Sequence, residues 1–176
     1  MASVALVSIL CPDQVGLVSA IADHLFSAGV NLRDTTFAAM GAGAEFTSVC
    51  ELPGGLSAEE LHGGLAHVPA LAAADIRVIP YPYNPVPGSV DKITHRIEVS
   101  GGDQLGLIAR LSEIFTRYRA NIVRLDAQKL SEAEGGRYVT RFAVSLPADQ
   151  SETCLAAVTN TAGTLGLTSR IDEAAE

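Results

Sequence analysis

The chain has 176 residues, 48% of them hydrophobic and 18% charged, with a formal net charge of -8. These values exclude a disordered chain and disfavour direct binding to nucleic acid or anionic lipid. They allow one domain or two small ones, and a half-length unit buries only about 60% of the surface its unfolded chain exposes, so association between halves or copies is expected.

The acidity is uneven. Residues 1–81 hold eight acids and two bases, whereas twelve acids face ten bases from Asp91 onward. Cys11, Cys50 and Cys154 are far apart with no CxxC pair. That spacing suggests neither a disulfide framework nor a metal site, and the three read as small buried hydrophobes. No stretch approaches the roughly 18 apolar residues of a membrane span, and the apolar start lacks a basic flank, so a cytoplasmic protein is expected.

In chain order, Val4 to Leu10 reads as an apolar strand. Gly16 to Ala28 reads as an amphipathic helix, with Leu17, Ile21 and Leu25 at helical spacing. Asn31 to Met40 and Ala44 to Leu52 form a hairpin closed by Gly41-Ala42-Gly43. Ser57 to Ala73 is expected to be one helix with a capping box of Ser57 and Glu60, and Asp75 to Tyr81 a closing strand. A proline-rich stretch, Tyr81 to Gly88, then acts as a stiff linker.

The same order returns in the second half: strand Ile93 to Ser100, helix Leu105 to Arg119, strands Asn121 to Lys129 and Arg137 to Leu146, helix Gln150 to Ala162, strand Leu167 to Asp172. A shift of ninety positions aligns Asp13-Gln14-Val15-Gly16-Leu17 with Asp103-Gln104-Leu105-Gly106-Leu107, and Asn31 with Asn121. The chain is therefore an internal duplication. Its expected fold class is α+β, two tandem ferredoxin-like βαββαβ domains with antiparallel four-stranded sheets and helices on one face. The boundaries are 1–81, a linker 82–91, and 92–176. Alternation of Val123, Leu125 and Ala127 with Arg124, Asp126 and Gln128 supports a sheet with one buried and one partly open face.

Each repeated loop leads from the first strand of its half into the first helix, whose free N–H groups and dipole favour a carboxylate. Asp13 and Asp103 could face an ammonium group, and Asn31 and Asn121 offer an amide donor and acceptor. Together they match a small zwitterion. Two plainer readings stand beside this one. The aspartates could be helix N-caps worth about 1 kcal/mol each. The asparagines could shape the helix-to-strand turn in the left-handed conformation.

Rival chemistries find little support. An acylphosphatase-like enzyme would need an arginine in the first loop, and an RNA-recognition module would need aromatics on its first strand; neither is present. Cys11 with His24 lacks an orienting third group, and the four histidines show no metal-ligand spacing. The run Gly101-Gly102-Asp103-Gln104-Leu105-Gly106 lacks the lysine and threonine of a phosphate loop. No catalytic residue, metal or cofactor is expected.

With Asp-x-x-Gly-Leu at each helix entrance and Asn opening each following strand, the two halves resemble tandem ACT domains, which are amino-acid-sensing modules. The typical ACT loop reads Asp-Arg-Pro-Gly, where this chain has Asp-Gln-Val-Gly and Asp-Gln-Leu-Gly. The first half, with Asn31-Leu32-Arg33-Asp34, Ala39-Met40-Gly41 and Glu45-Phe46-Thr47, resembles more narrowly the glycine cleavage system transcriptional repressor family. That resemblance implies a non-catalytic, glycine-responsive regulator that contacts a transcription factor rather than DNA; the reading of Asp13 and Asn31 widens the ligand to glycine, serine or another small amino acid, and the small size of each half makes a homo-oligomer the expected assembly. Other readings are an ACT-like dimerisation module without ligand, or a regulatory subunit of an amino-acid metabolic enzyme.

Overall fold

In the computed structural model, residues 3–83, 91–131, 133 and 136–174 are described. Most of the expected linker, residues 84–90, lies outside them. The chain divides into two compact units, Met1–Pro85 and Val86–Glu176.

The first unit runs β1 (Ser3–Pro12), α1 (Leu17–Ser27), β2 (Asn31–Met40), β3 (Gly43–Leu52), α2 (Ala58–Ala66), a 3-10 turn (Pro69–Leu71) and β4 (Asp75–Pro80). The second runs β5 (His95–Gly101), α3 (Leu107–Arg117), β6 (Asn121–Lys129), β7 (Tyr138–Ser145), α4 (Ser151–Thr164) and β8 (Thr168–Glu173). The sheets are antiparallel, in the orders β2-β3-β1-β4 and β6-β7-β5-β8. Both units are the expected ferredoxin-like βαββαβ fold.

Outside the bulges of β2 and β6, the strands present alternate residues to the two sheet faces, and one face of each sheet carries a core. In the first unit Ala5, Val7 and Ile9 of β1 and Phe46 and Cys50 of β3 meet Leu17, Ile21 and Leu25 of α1 and Leu61 and Leu65 of α2. In the second, Ile97, Val99, Phe142 and Val144 meet Leu107, Leu111 and Phe115 of α3 and Cys154, Val158 and Ala162 of α4. Each such large side chain, fully buried, contributes about 1.5–3 kcal/mol. All three cysteines are buried, as small hydrophobes would be.

Three local expectations are corrected. The helix predicted from Ser57 to Ala73 stops at Ala66, because Val68 is extended ahead of Pro69, as a residue before proline prefers. Its start is as expected: Ser57 accepts from the Glu60 N–H at 3.1 Å, and the Glu60 carboxylate accepts from the Ser57 N–H at 2.8 Å. The asparagines do not make the helix-to-strand turns. Gly29 (φ 73°) and Arg119 (φ 57°) take the left-handed position, and the Val30 and Ala120 N–H groups close back on the Leu25 and Phe115 carbonyls.

The third concerns the apolar alternation of β6. Leu125 and Ala127 point to the helix side but are exposed, since β6 is an edge strand that the helices leave largely uncovered. A bulge between Ile122 and Arg124 adds one residue to its register, and β2 has a matching bulge between Leu32 and Thr35.

Candidate site at the helix entrances

The loop from β1 to α1 is held from both sides. The Asp13 N–H donates to the Ala42 carbonyl in the β2–β3 turn at 2.9 Å, and the Gln14 amide donates to the Ala70 carbonyl of the 3-10 turn at 2.8 Å. Gly16 (φ 85°) and Gly106 (φ 79°) sit at the helix N-caps in the left-handed conformation, which an L side chain adopts only with strain. The N-cap reading of Asp13 and Asp103 fails for the same reason. The cap position belongs to the glycines, and no side chain caps either helix; both aspartates are exposed.

The first turn of each helix is consequently open. The Leu17 N–H bonds the Gln14 carbonyl at 3.3 Å and the Ala20 N–H bonds the Gly16 carbonyl at 2.9 Å. Between them, the Val18 and Ser19 N–H groups have no acceptor among the described residues. The second unit repeats this, with Leu107 on Gln104 at 3.2 Å, Arg110 on Gly106 at 3.0 Å, and Ile108 and Ala109 free. Such paired donors at the positive end of a helix dipole fit a carboxylate. These donors were not named from the sequence, because every residue type carries an N–H and only a structure shows which lack an acceptor.

The other expected residues divide. Val15 and Leu105 are fully exposed beside the loop, whereas Leu17 and Leu107 are buried and belong to the cores. Asn31 and Asn121 are not at the entrances. Asn31 lies opposite Glu51, which itself lies opposite Val4 near the start of β1, whereas Asp13 follows the end of β1. Eight residues of strand, about 26 Å, separate the two levels. The reason is topological: α1 carries the chain back along β1, so β2 begins where β1 began. Within a unit, therefore, Asp13 and Asn31 do not share a pocket, nor do Asp103 and Asn121.

The asparagine amides have protein partners instead. Asn31 donates to the Glu51 carboxylate at 2.9 Å, beside an ion pair of Glu51 with Arg33, and Asn121 donates to Asp91 at 2.8 Å. The Arg33 and Asn31 hydrogen bonds hold the Glu51 carboxyl below its ordinary pKa. A nucleophilic thiol finds no support: burial, and then the charge of Asp13, raise Cys11, and burial pushes Cys154 up to about 11.

No protein-family model matches the chain, and no curated protein matches it in sequence. Solved structures do match over its whole length. An unknown protein from Galdieria sulphuraria superposes with a TM-score of 0.73 at 19% identity, covering 99% of this chain and 100% of that one. A protein provisionally described as a glycine cleavage system transcriptional repressor superposes with a TM-score of 0.63 at 13% identity, covering 100% and 99%. The fold they share with this chain is a pair of ferredoxin-like βαββαβ units in tandem. At these identities the likeness extends to the architecture of both units, and the chemistry of the sites has to be argued from this chain's own residues.

Proposed function

We propose that this chain is a non-catalytic regulatory protein that binds a small amino acid, glycine or serine, at its helix entrances and acts through contacts with a protein partner such as a transcription factor. The carrying observation is the pair of N–H groups with no acceptor among the described residues, Val18 with Ser19 and Ile108 with Ala109, each behind a left-handed glycine and following a loop that carries an exposed aspartate. A carboxylate would take the N–H pair, Asp13 or Asp103 would take the ammonium group, and a small side chain would leave both within reach. The whole-length likeness to a structure described as a glycine cleavage repressor supports a regulatory reading.

A ligand bound only to the folded protein stabilises it by about 2.7 kcal/mol at one hundred times its dissociation constant. Glycine or serine should therefore raise the melting temperature of the full chain. Asp13→Asn together with Asp103→Asn should abolish the rise without lowering the unliganded melting temperature. A panel of all twenty amino acids producing no shift would refute ligand binding.

A second reading, an association module, draws on the edge strands. β2 and β6 leave Phe37 and Leu125 about two-fifths exposed, at 42% and 41%, on strands with one unpaired side. Such edges favour pairing with another strand. Sedimentation of the full chain tests this reading: a homo-oligomer is expected, and replacing Phe37 by Lys should weaken it.

A further inference from the structure

The face of the second sheet that α3 and α4 do not cover carries a depression of about 360 Å³. Strand register places two charged rows across it. One reads Asp126, Arg141, Glu98, Arg170 over β6, β7, β5 and β8; the other reads Arg124, Ala143, Arg96, Asp172. In the first row Arg141 donates to Glu98 at 2.8 Å and to Asp126 at 3.4 Å. In the second, Asp172 is taken by Arg170 at 3.1 Å. Arg96 and Arg124 are left with no hydrogen-bond or ion-pair partner among the described residues. Both line the depression, on either side of the small Ala143.

Four of the chain's twelve basic residues thus gather on one sheet face of a protein with net charge -8. The duplicated scaffold shows that the sheet does not require them. By register, Leu6, Asp34 and Val49 stand in the first unit where Arg96, Arg124 and Ala143 stand in the second. One strand, β7, lies between Arg96 and Arg124, two strand spacings or about 10 Å between backbones, so both guanidinium groups can reach one oxyanion held above Ala143. Its volume is within the range of small-ligand pockets.

We infer that Arg96 and Arg124 form a binding site for a small oxyanion, a carboxylate or phosphate group, on the uncovered face of the second sheet and separate from both helix entrances. Guanidinium groups meet such anions through paired N–H donors, and the neighbouring Arg141–Glu98 pair keeps the centre of the face occupied so that the anion is confined to the Ala143 side. The site needs no backbone rearrangement.

Titration of the full chain with inorganic phosphate and, separately, with succinate tests this, read by NMR of the arginine side-chain N–H groups. Saturable shifts at Arg96 and Arg124 with either probe support the site, and the probe that binds more tightly identifies phosphate or carboxylate as the source. Arg96→Gln and Arg124→Gln should each weaken binding by about tenfold or more, while Arg110→Gln, an exposed change on α3, should not. No saturable shift with either anion, or an affinity in both pocket variants unchanged from that of the unaltered chain, would overturn the assignment. The response to glycine at the helix entrances should persist in both variants, so the two readings can fail independently.

Discussion

The two uncovered sheet faces are built on one backbone plan and carry opposite chemistry. In the first unit, positions facing away from the helices hold Val4, Leu6, Leu10, Val49 and Ile79, with Glu45, Asp75 and Arg77 toward one end. In the second, Arg96, Glu98, Asp126, Arg141, Arg170 and Asp172 occupy the matching surface. Of these, Arg170 alone finds its like, in Arg77. A sheet fixes which residues share a face, but a face that is not core tolerates apolar or ionic side chains alike. Duplication therefore kept the geometry and left the exposed chemistry free to separate.

The buried faces also differ, in a way that mutation can exploit. Phe46 and Ser48 in β3 stand where Thr140 and Phe142 stand in β7, so large and small side chains have exchanged places. Phe142 meets Phe115 edge-on, with ring centroids 5.2 Å apart, and Leu25 occupies the position of Phe115 in the first unit. Phe115→Ala should be the most damaging change, costing about 3–5 kcal/mol through the lost contact and the cavity; Leu25→Ala should cost about 2–5 kcal/mol. Chemical denaturation of the full chain, with hydrogen exchange to locate the loosened unit, measures both. Equal loosening of the two units by either variant would break the view that each has its own core.

Smaller effects sharpen the comparison. Ser48 is fully buried and shares a 2.8 Å hydrogen bond with Thr35, whereas the buried Thr140 hydroxyl has no partner among the described residues. Ser48→Ala should destabilise by about 1 kcal/mol, and Thr140→Val should stabilise by a similar amount, since one removes a satisfied hydroxyl and the other an orphan. The helix ends make a second matched pair. Gly29 and Arg119 both occupy the left-handed position, but only glycine does so without strain. Arg119→Gly should gain up to about 1 kcal/mol and Gly29→Ala should lose about as much, both read from denaturation midpoints.

The smallest expected effect is a pH dependence confined to the first unit. The Ser57 N–H and hydroxyl both bond the Glu60 carboxylate and hold its pKa below the ordinary value. A lowered folded-state pKa gives stability that is present above the unfolded value and is lost as the pH falls through the folded one. Amide exchange at the start of α2 should accelerate on acidification through that window, and Glu60→Gln should flatten the response. No capping box is present at α4, where Gln150 makes no side-chain cap, so that helix start should show no matching step.

The sequence by itself determined the repeat, the order of strands and helices, and the presence of a glycine at each helix entrance. Those features arise from local chemistry and periodicity: apolar residues recur with the period of their element, and glycine marks backbone that other residues avoid. It also supplied Asp13, Asp103, Asn31 and Asn121 as a group. Tertiary structure then separated that group, because a crossover helix returns the chain to the far end of the sheet. Tertiary structure alone decided which N–H groups are without acceptors, that β6 is an edge whose apolar side stays open, and that Arg96 and Arg124 flank Ala143. These depend on the register between strands distant in sequence, which the order of residues within any one strand does not specify.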